Sequence, residues 1–480
     1  MAVLLADETR RRLQAARTVV ERAAREERAV YGVTTGLGAS KDVRLPADDL
    51  ADFQRRAVMG RSVAVGEPLP TDVVRAIVFA RAAAMARGGS GVSPAVLDTL
   101  VSMLNAGVHP IVPRWGSIGA ADLGLLAAMA LPVIGAGEAE VRGERLAATE
   151  ALHRAGLTPV TLGPKDGLAL VSANAASVGH GALVLWDAQH ALEAESIATA
   201  LAMEGFCASL SPLDPRAQAA RPAPGQVDAA RRLATLLEGS ALWDEGAARS
   251  FQDPISFRCA SQIAGAARSA TRYAGDCVEI ELNSAGDNPL VLAESDAIVH
   301  NGNFHAAALA QAFDLVAIAL AHVASAAAER TIKLLSPPHS ALPLNLTPHG
   351  GTRTGFATVQ KTVTALVAEM RHLANPGSLD FLPVSEGVED HAPNAPFTVQ
   401  KAAQVVDRLG YVTAIELLVA AQAVDLRPLA PMGRGARAAW EAVRAAVPVL
   451  DDDRPLGPDV ERVRSLVVDG TLLRAVANRA

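Results

Sequence analysis

Residues 165–208, 256–284, 303–335 and 354–374 form four long stretches that are nearly free of charged side chains over most of their length, and 397–425 is like them. A helix that is apolar on every face belongs inside a large helical core. Several such helices in series describe a long bundle. The most apolar run, Ala306 to Ala328, contains Asp314 and His322, so we read it as a core helix and not a membrane span.

The N-terminal part is patterned differently. Residues 6–29 read as one amphipathic helix, with Leu13, Ala16, Val20 and Ala23 at helical spacing. Residues 71–87 and 94–106 repeat the signal. Gly88, Gly89, Ser90 and Gly91 punctuate between them, and Ser93-Pro94 marks a helix entry. Strand signals are weak and best at 108–113 and 133–142. The Pro-rich segments 211–224 and 336–348 read as surface loops. The expected fold is mainly α. A loop-containing N-terminal region covers 1–150 and a long central helical bundle covers 151–480, together one integrated catalytic unit.

Composition narrows the function classes. The chain has 480 residues, 50% of them hydrophobic and 20% charged, which excludes whole-chain disorder. With 44 Lys+Arg against 51 Asp+Glu the net charge is −7, and the basic residues are scattered, so no nucleic-acid footprint is expected. Three cysteines, Cys207, Cys259 and Cys277, show no CxxC spacing. We expect a reducing, cytoplasmic setting and no metal. Asp7 and Glu8 precede any long apolar run, so no signal peptide is expected. None of the five lysines, Lys41, Lys165, Lys333, Lys361 and Lys401, has a context that marks a Schiff-base residue.

Five motifs carry chemistry. Tyr31-Gly32-Val33-Thr34-Thr35-Gly36-Leu37-Gly38 is a glycine loop after a helix, and alone it is a weak signal. The others are Asn105 to Gly124, Gln252 to Cys259, Glu281 to Leu290, and Asn301 to His305 with Glu389-Asp390-His391. In this order the motifs resemble the aromatic amino acid ammonia-lyase family, its histidine ammonia-lyases most closely, from about Tyr31 to about Ala423. The resemblance implies a mostly α fold related to the fumarase and aspartase superfamily. It also implies a homotetramer whose sites combine loops from several subunits.

The family builds an electrophile, methylidene-imidazolone, by cyclising and dehydrating an internal Ala-Ser-Gly. The corresponding frame here is Gly119-Ala120-Ala121-Asp122-Leu123. It is one residue short and has neither the serine nor the glycine. Dehydration takes its oxygen from the serine hydroxyl, so we expect this degenerate segment, Ala120, Ala121 and Asp122, to form no such group and the chain to use no cofactor. Other family positions differ as well. Gly60-Arg61-Ser62 stands for Ser-His-Ala, Ser172 for an asparagine, Ile255 for a tyrosine and Ala223 for a histidine.

What matches gives the candidate site. By resemblance Tyr31 is the catalytic tyrosine, and Arg258 holds the substrate carboxylate, a task suited to its planar fork. Asn303 and Phe304 match substrate-proximal residues, and Gln252 and Glu389 match polar pocket residues. Glu389 is a second acid–base candidate, provided burial raises its pKa. Arg61 and Ser172 sit where the family contacts substrate. Each has a plainer reading: packing for Tyr31, an ion pair with Asp253 for Arg258, solvent for Arg61. Asp122 is read as a helix cap, His305 as a core histidine, Asp390 and His391 as structural, and Cys259 as inert.

The expected function is acid–base elimination, or the reverse addition, cyclisation or isomerisation, on a small carboxylate-bearing substrate without an electrophile. The alternatives are an aromatic amino acid (histidine) ammonia-lyase, and a pseudoenzyme or ligand-binding helical tetramer. No nucleic-acid or membrane partner is expected.

Overall fold

The computed structural model describes residues 2–428 and 430–479. The chain divides into two compact units. The first holds 1–183, 274–313 and 376–400, and the second holds 184–273, 314–375 and 401–480. Four long helices, Ala175–Phe206, Ala260–Leu282, Ala307–Leu334 and Ala395–Asp425, have residues in both. The fold is mainly α, as the apolar stretches imply. The segments 166–206 and Ala307–Leu334 are long and apolar enough to cross a membrane, but most of each is buried within the protein.

In the first unit, helix Asp7–Arg25 buries Leu13, Ala16, Val19, Val20 and Ala23. Of these, Ala16, Val19, Val20 and Ala23 pack with Val30, Val33 and Val291. Helices Thr71–Ala86 and Pro94–Ala106 follow. Gly107 ends the second at φ 71°, the left-handed conformation that a glycine adopts without a Cβ penalty. Small residues set how closely helices meet: a Cβ on Gly179 would stand 2.6 Å from the backbone of Ala76.

Three small antiparallel sheets complete this unit. Val65–Pro68 pairs with Pro113–Trp115, Val108–Pro110 with Glu138–Val141 and then Glu144–Ala147, and Leu290–Leu292 with Ala297–Val299. The two strand expectations were too long. Pro132–Ile134 forms a 3₁₀ turn closed by Gly135 at φ 71°, because proline suits the first position of a turn and cannot donate to a ladder.

In the second unit, Arg330 is buried between two carboxylates from different helices. Its Nε donates to Glu416 Oε1 at 2.5 Å, its Nη2 to Glu195, and its Nη1 to the Ser256 carbonyl at 3.1 Å. The Pro-rich segment expected as a loop instead contains helix Pro215–Ala220. Asp214 caps it by accepting the Arg216 N–H at 2.7 Å, and Pro215 fits its first turn. Apolar runs expected to be continuous are broken at 172–174 and at Cys259, giving Asp166–Val171 before Ala175–Phe206 and Ile255–Arg258 before Ala260–Leu282.

Candidate active site

Tyr31 leaves helix Asp7–Arg25 on a tight coil. The Val30 carbonyl accepts N–H bonds from Val33, Thr34 and Thr35 at 3.1, 3.0 and 3.2 Å. Gly32 turns at φ +66°, where a Cβ would run into Leu168 and Leu37. The half-buried Tyr31 ring is thereby presented to a cavity of about 550 Å³, lined by Tyr31, Lys41, Arg44, Asn288, His300 and Glu389. The Gly38 N–H donates to the Tyr31 hydroxyl oxygen at 3.1 Å. His300 stands edge-on to the ring, with centroids 6.4 Å apart.

Arg61 is half-buried just after helix Leu50–Met59 and donates to the Ala57 carbonyl at 3.2 Å. Burial pulls its pKa below the usual arginine value, and the charges of Tyr31 and Glu389 work the other way. Arg61, Tyr31 and Glu389 therefore share one electrostatic neighbourhood. Glu389 is held by a two-bond ladder with Val384, at 3.1 and 3.3 Å.

The segment Ala120-Ala121-Asp122 is buried. The Ala121 N–H donates to the Phe304 carbonyl at 3.1 Å, and Ala120 bridges to His305. Ala121 itself lies at φ 60°. Asp122 precedes helix Leu123–Ala130 but makes no side-chain cap there. Its carboxylate instead accepts from Ser177 N–H at 2.7 Å, Ser177 Oγ at 3.1 Å and Ser117 Oγ at 3.2 Å. It serves the first turn of Ala175–Phe206, where orphan N–H groups and the helix dipole favour a carboxylate. Burial nevertheless pushes its pKa up to about 6, against those three donors. Glu281 is raised as well, first by burial and then by the charge of Asp122.

Ser172 ends helix Asp166–Val171 and is half-buried. The Asn303 N–H donates to Asn301 Oδ1 at 2.8 Å, and Asn303 lines a second cavity, of about 770 Å³. His305 is half-buried rather than a core histidine. Its Nε2 lies 2.9 Å from His391 Nδ1, and burial followed by His391 depresses its pKa. Gln252 and Arg258 belong to the second unit, where the Arg258 guanidinium bonds Gln252 Oε1. The plainer reading of Arg258, an ion pair with Asp253, is not what forms: Asp253 Oδ2 accepts the Ser209 N–H at 2.7 Å.

The sequence reading missed His300 and the pocket positions of Lys41 and Arg44. His300 directly precedes the Asn301-Gly302-Asn303 motif, the one local sign available. Among the described residues no cluster of three His, Cys, Asp or Glu side chains is arranged to hold a metal ion.

The sequence profile of the family described as "Aromatic amino acid lyase" matches residues 1–445. Histidine ammonia-lyase of Symbiobacterium thermophilum is 43% identical over 475 residues, covering 99% of this chain and 94% of that protein. Among solved structures, histidine ammonia-lyase of Trypanosoma cruzi superposes with a TM-score of 0.92 at 31% identity, covering 100% of this chain and 91% of that one. The ergothioneine-degrading enzyme ergothionase of Treponema denticola, in complex with desmethyl-ergothioneine sulfonic acid, gives 0.95 at 33% identity, covering 98% and 95%.

These relatives overturn two expectations. Full-length similarity to histidine ammonia-lyases replaces the electrophile-free, non-ammonia reading with its ammonia-lyase alternative. The expectation of an enzyme without a cofactor falls with it, since methylidene-imidazolone belongs to that class. The residues between Gly119 and Asp122 do not fit that group's Ala-Ser-Gly precursor. Ala120 and Ala121 carry no hydroxyl to lose, and their backbones are committed to Phe304 and His305. The chemistry argued for this chain rests on its other residues.

Proposed function

This chain belongs to the aromatic amino acid lyase family, and on that premise we propose that it is an ammonia-lyase acting on histidine or a closely related aromatic α-amino acid. The observation that carries the reading is the Tyr31 cavity, with Arg61 and Glu389 in the same electrostatic neighbourhood. The reaction breaks Cβ–H and Cα–N. The proton goes to a base, the nitrogen leaves with its bonding pair, and an α,β-unsaturated acid remains.

Tyr31 is the base. Its hydroxyl oxygen already accepts the Gly38 N–H, and the Arg61 charge lies in the same electrostatic neighbourhood. Glu389, lining the same cavity, is the second acid–base group. Substrate carboxylate binding falls to arginine, Arg61 in this unit and Arg258 as the family position, because a guanidinium meets a carboxylate through two parallel bonds. Ser172, Asn303 and Phe304 line the substrate, Ala120, Ala121 and Asp122 form the floor at the family's electrophile segment, Gln252 keeps the family's polar position in the second unit, and the working form is a homotetramer.

The test is a substrate panel of L-histidine, L-phenylalanine, L-tyrosine and ergothioneine, with released amine and unsaturated acid measured together. Equimolar amine and unsaturated acid from L-histidine, lost in Tyr31→Phe, supports the reading. Purified folded protein that releases neither from any member of the panel refutes it.

A further inference from the structure

Arg81 lies on helix Thr71–Ala86 and is wholly buried. Its Nε donates to the Ala169 carbonyl at 2.8 Å, and its Nη2 donates to Asp287 Oδ1 at 2.6 Å and also reaches Ala169. Ala169 is in the short helix Asp166–Val171 that ends at Ser172. Asp287 opens the segment that leads to His300 and Asn303.

Bonds continue along that segment. The Asp287 carbonyl accepts from Asn301 Nδ2 at 3.0 Å, and the Asn301 N–H donates to Asn288 Oδ1 at 3.0 Å. Asn301 Oδ1 then accepts the Asn303 N–H at 2.8 Å. Asn288 and His300 line the Tyr31 cavity. A series of hydrogen bonds thus runs from a buried guanidinium to Asn288 and Asn303, with His300 the chain neighbour of Asn301.

Stability alone is a poor reason for this pair. Arg81 Nη1 and Asp287 Oδ2 are buried without a hydrogen-bond partner among the described residues. A buried ion pair with unsatisfied atoms recovers little of its desolvation cost. A guanidinium fork held on two acceptors does define position, because its donors are fixed in one plane.

We propose that Arg81 is a positioning residue: through Asp287 it holds segment 287–303 against the helix ending at Ser172, and so fixes where Asn288, His300 and Asn303 stand. The catalytic consequence rests on the lyase reading above; the effect on the segment does not.

Amide hydrogen exchange on the full-length protein tests it, with Asp287→Asn and Arg81→Lys. Asp287→Asn keeps an acceptor but loses the charge, and Arg81→Lys keeps the charge but loses the fork. Both are expected to speed exchange between 290 and 303 about tenfold while 71–86 stays within about twofold of the parent. On a substrate that the parent turns over, kcat falls about tenfold with KM within about threefold. Unchanged exchange at 290–303 overturns the proposal, and so does an equal rise along the whole chain. Parental exchange and kcat in Arg81→Lys overturn it too, because the fork is then dispensable. Should Asp287→Asn fail to fold, Arg81→Lys decides by the same readings. A parent with no turnover defeats the lyase reading and leaves the exchange result to decide this one.

Discussion

Asp122 makes a quantitative test of how this site is built. It is completely buried, and its carboxyl is raised from the ordinary 3.8 to about 6, chiefly by desolvation. A carboxyl whose folded-state value is raised holds its proton in the folded state over a window where the unfolded chain has released it. Its contribution to stability is therefore full below pH about 3.8 and is lost as pH rises through about 6. At about 1.4 kcal/mol per pH unit, the lost stability is about 3 kcal/mol. Asp122→Asn removes the titration. It keeps an oxygen for the Ser177 N–H, and the Ser117 and Ser177 hydroxyls can turn to accept from the new amide.

The assay is the melting temperature of parent and variant by calorimetry between pH 4 and 7. A chain of 480 residues has an unfolding entropy of about 1 kcal/mol/K, so about 3 kcal/mol corresponds to about 3 °C. The variant is expected to gain about 3 °C on the parent between pH 4 and pH 7. Glu281, raised first by burial and then by the charge of Asp122, contributes to both curves, and only the part from Asp122 disappears in the variant. Parallel curves for the two proteins refute the reasoning, since the buried carboxylate then has no cost at neutral pH.

Other outcomes follow from the same geometry. Arg330→Met leaves Glu195 and Glu416 buried without their cation and is expected to cost about 3–5 kcal/mol, read as a fall in denaturation midpoint. Gly179→Ala places a Cβ 2.6 Å from the Ala76 backbone and is expected to cost about 1–3 kcal/mol by the same measurement. Tyr31→Phe is expected to lower kcat at least about 100-fold without changing the melting temperature, as loss of an acid–base group does.

How much of this was legible in the sequence depends on how local each signal is. The long apolar helices and the stripe on Asp7–Arg25 were readable because burial leaves its period in the chain. Helix Pro215–Ala220 was hidden in a Pro-rich stretch, since the same proline starts a helix or a loop according to whether a cap precedes it. Tyr31 and Glu389 were named from their motifs, but that they line one cavity is a through-space fact over more than 350 residues of chain. The partner of Asp122 lies 55 residues on, at Ser177, so its own helix looked like the one it capped. His300 and Arg44 carry no distinctive pattern of their own. The functional expectation was overturned on a different scale: the altered positions, from Ala120-Ala121 to Ser172 and Ile255, are local, whereas the similarity to histidine ammonia-lyases runs the length of the chain.

The most direct test of the central claim is release of ammonia from L-histidine by the purified protein, measured with the rise in ultraviolet absorbance of the unsaturated acid. The account predicts both signals in equal amounts, abolished together by Tyr31→Phe. Unsaturated acid without ammonia, or neither product from L-histidine, L-phenylalanine or L-tyrosine with a folded protein, contradicts it.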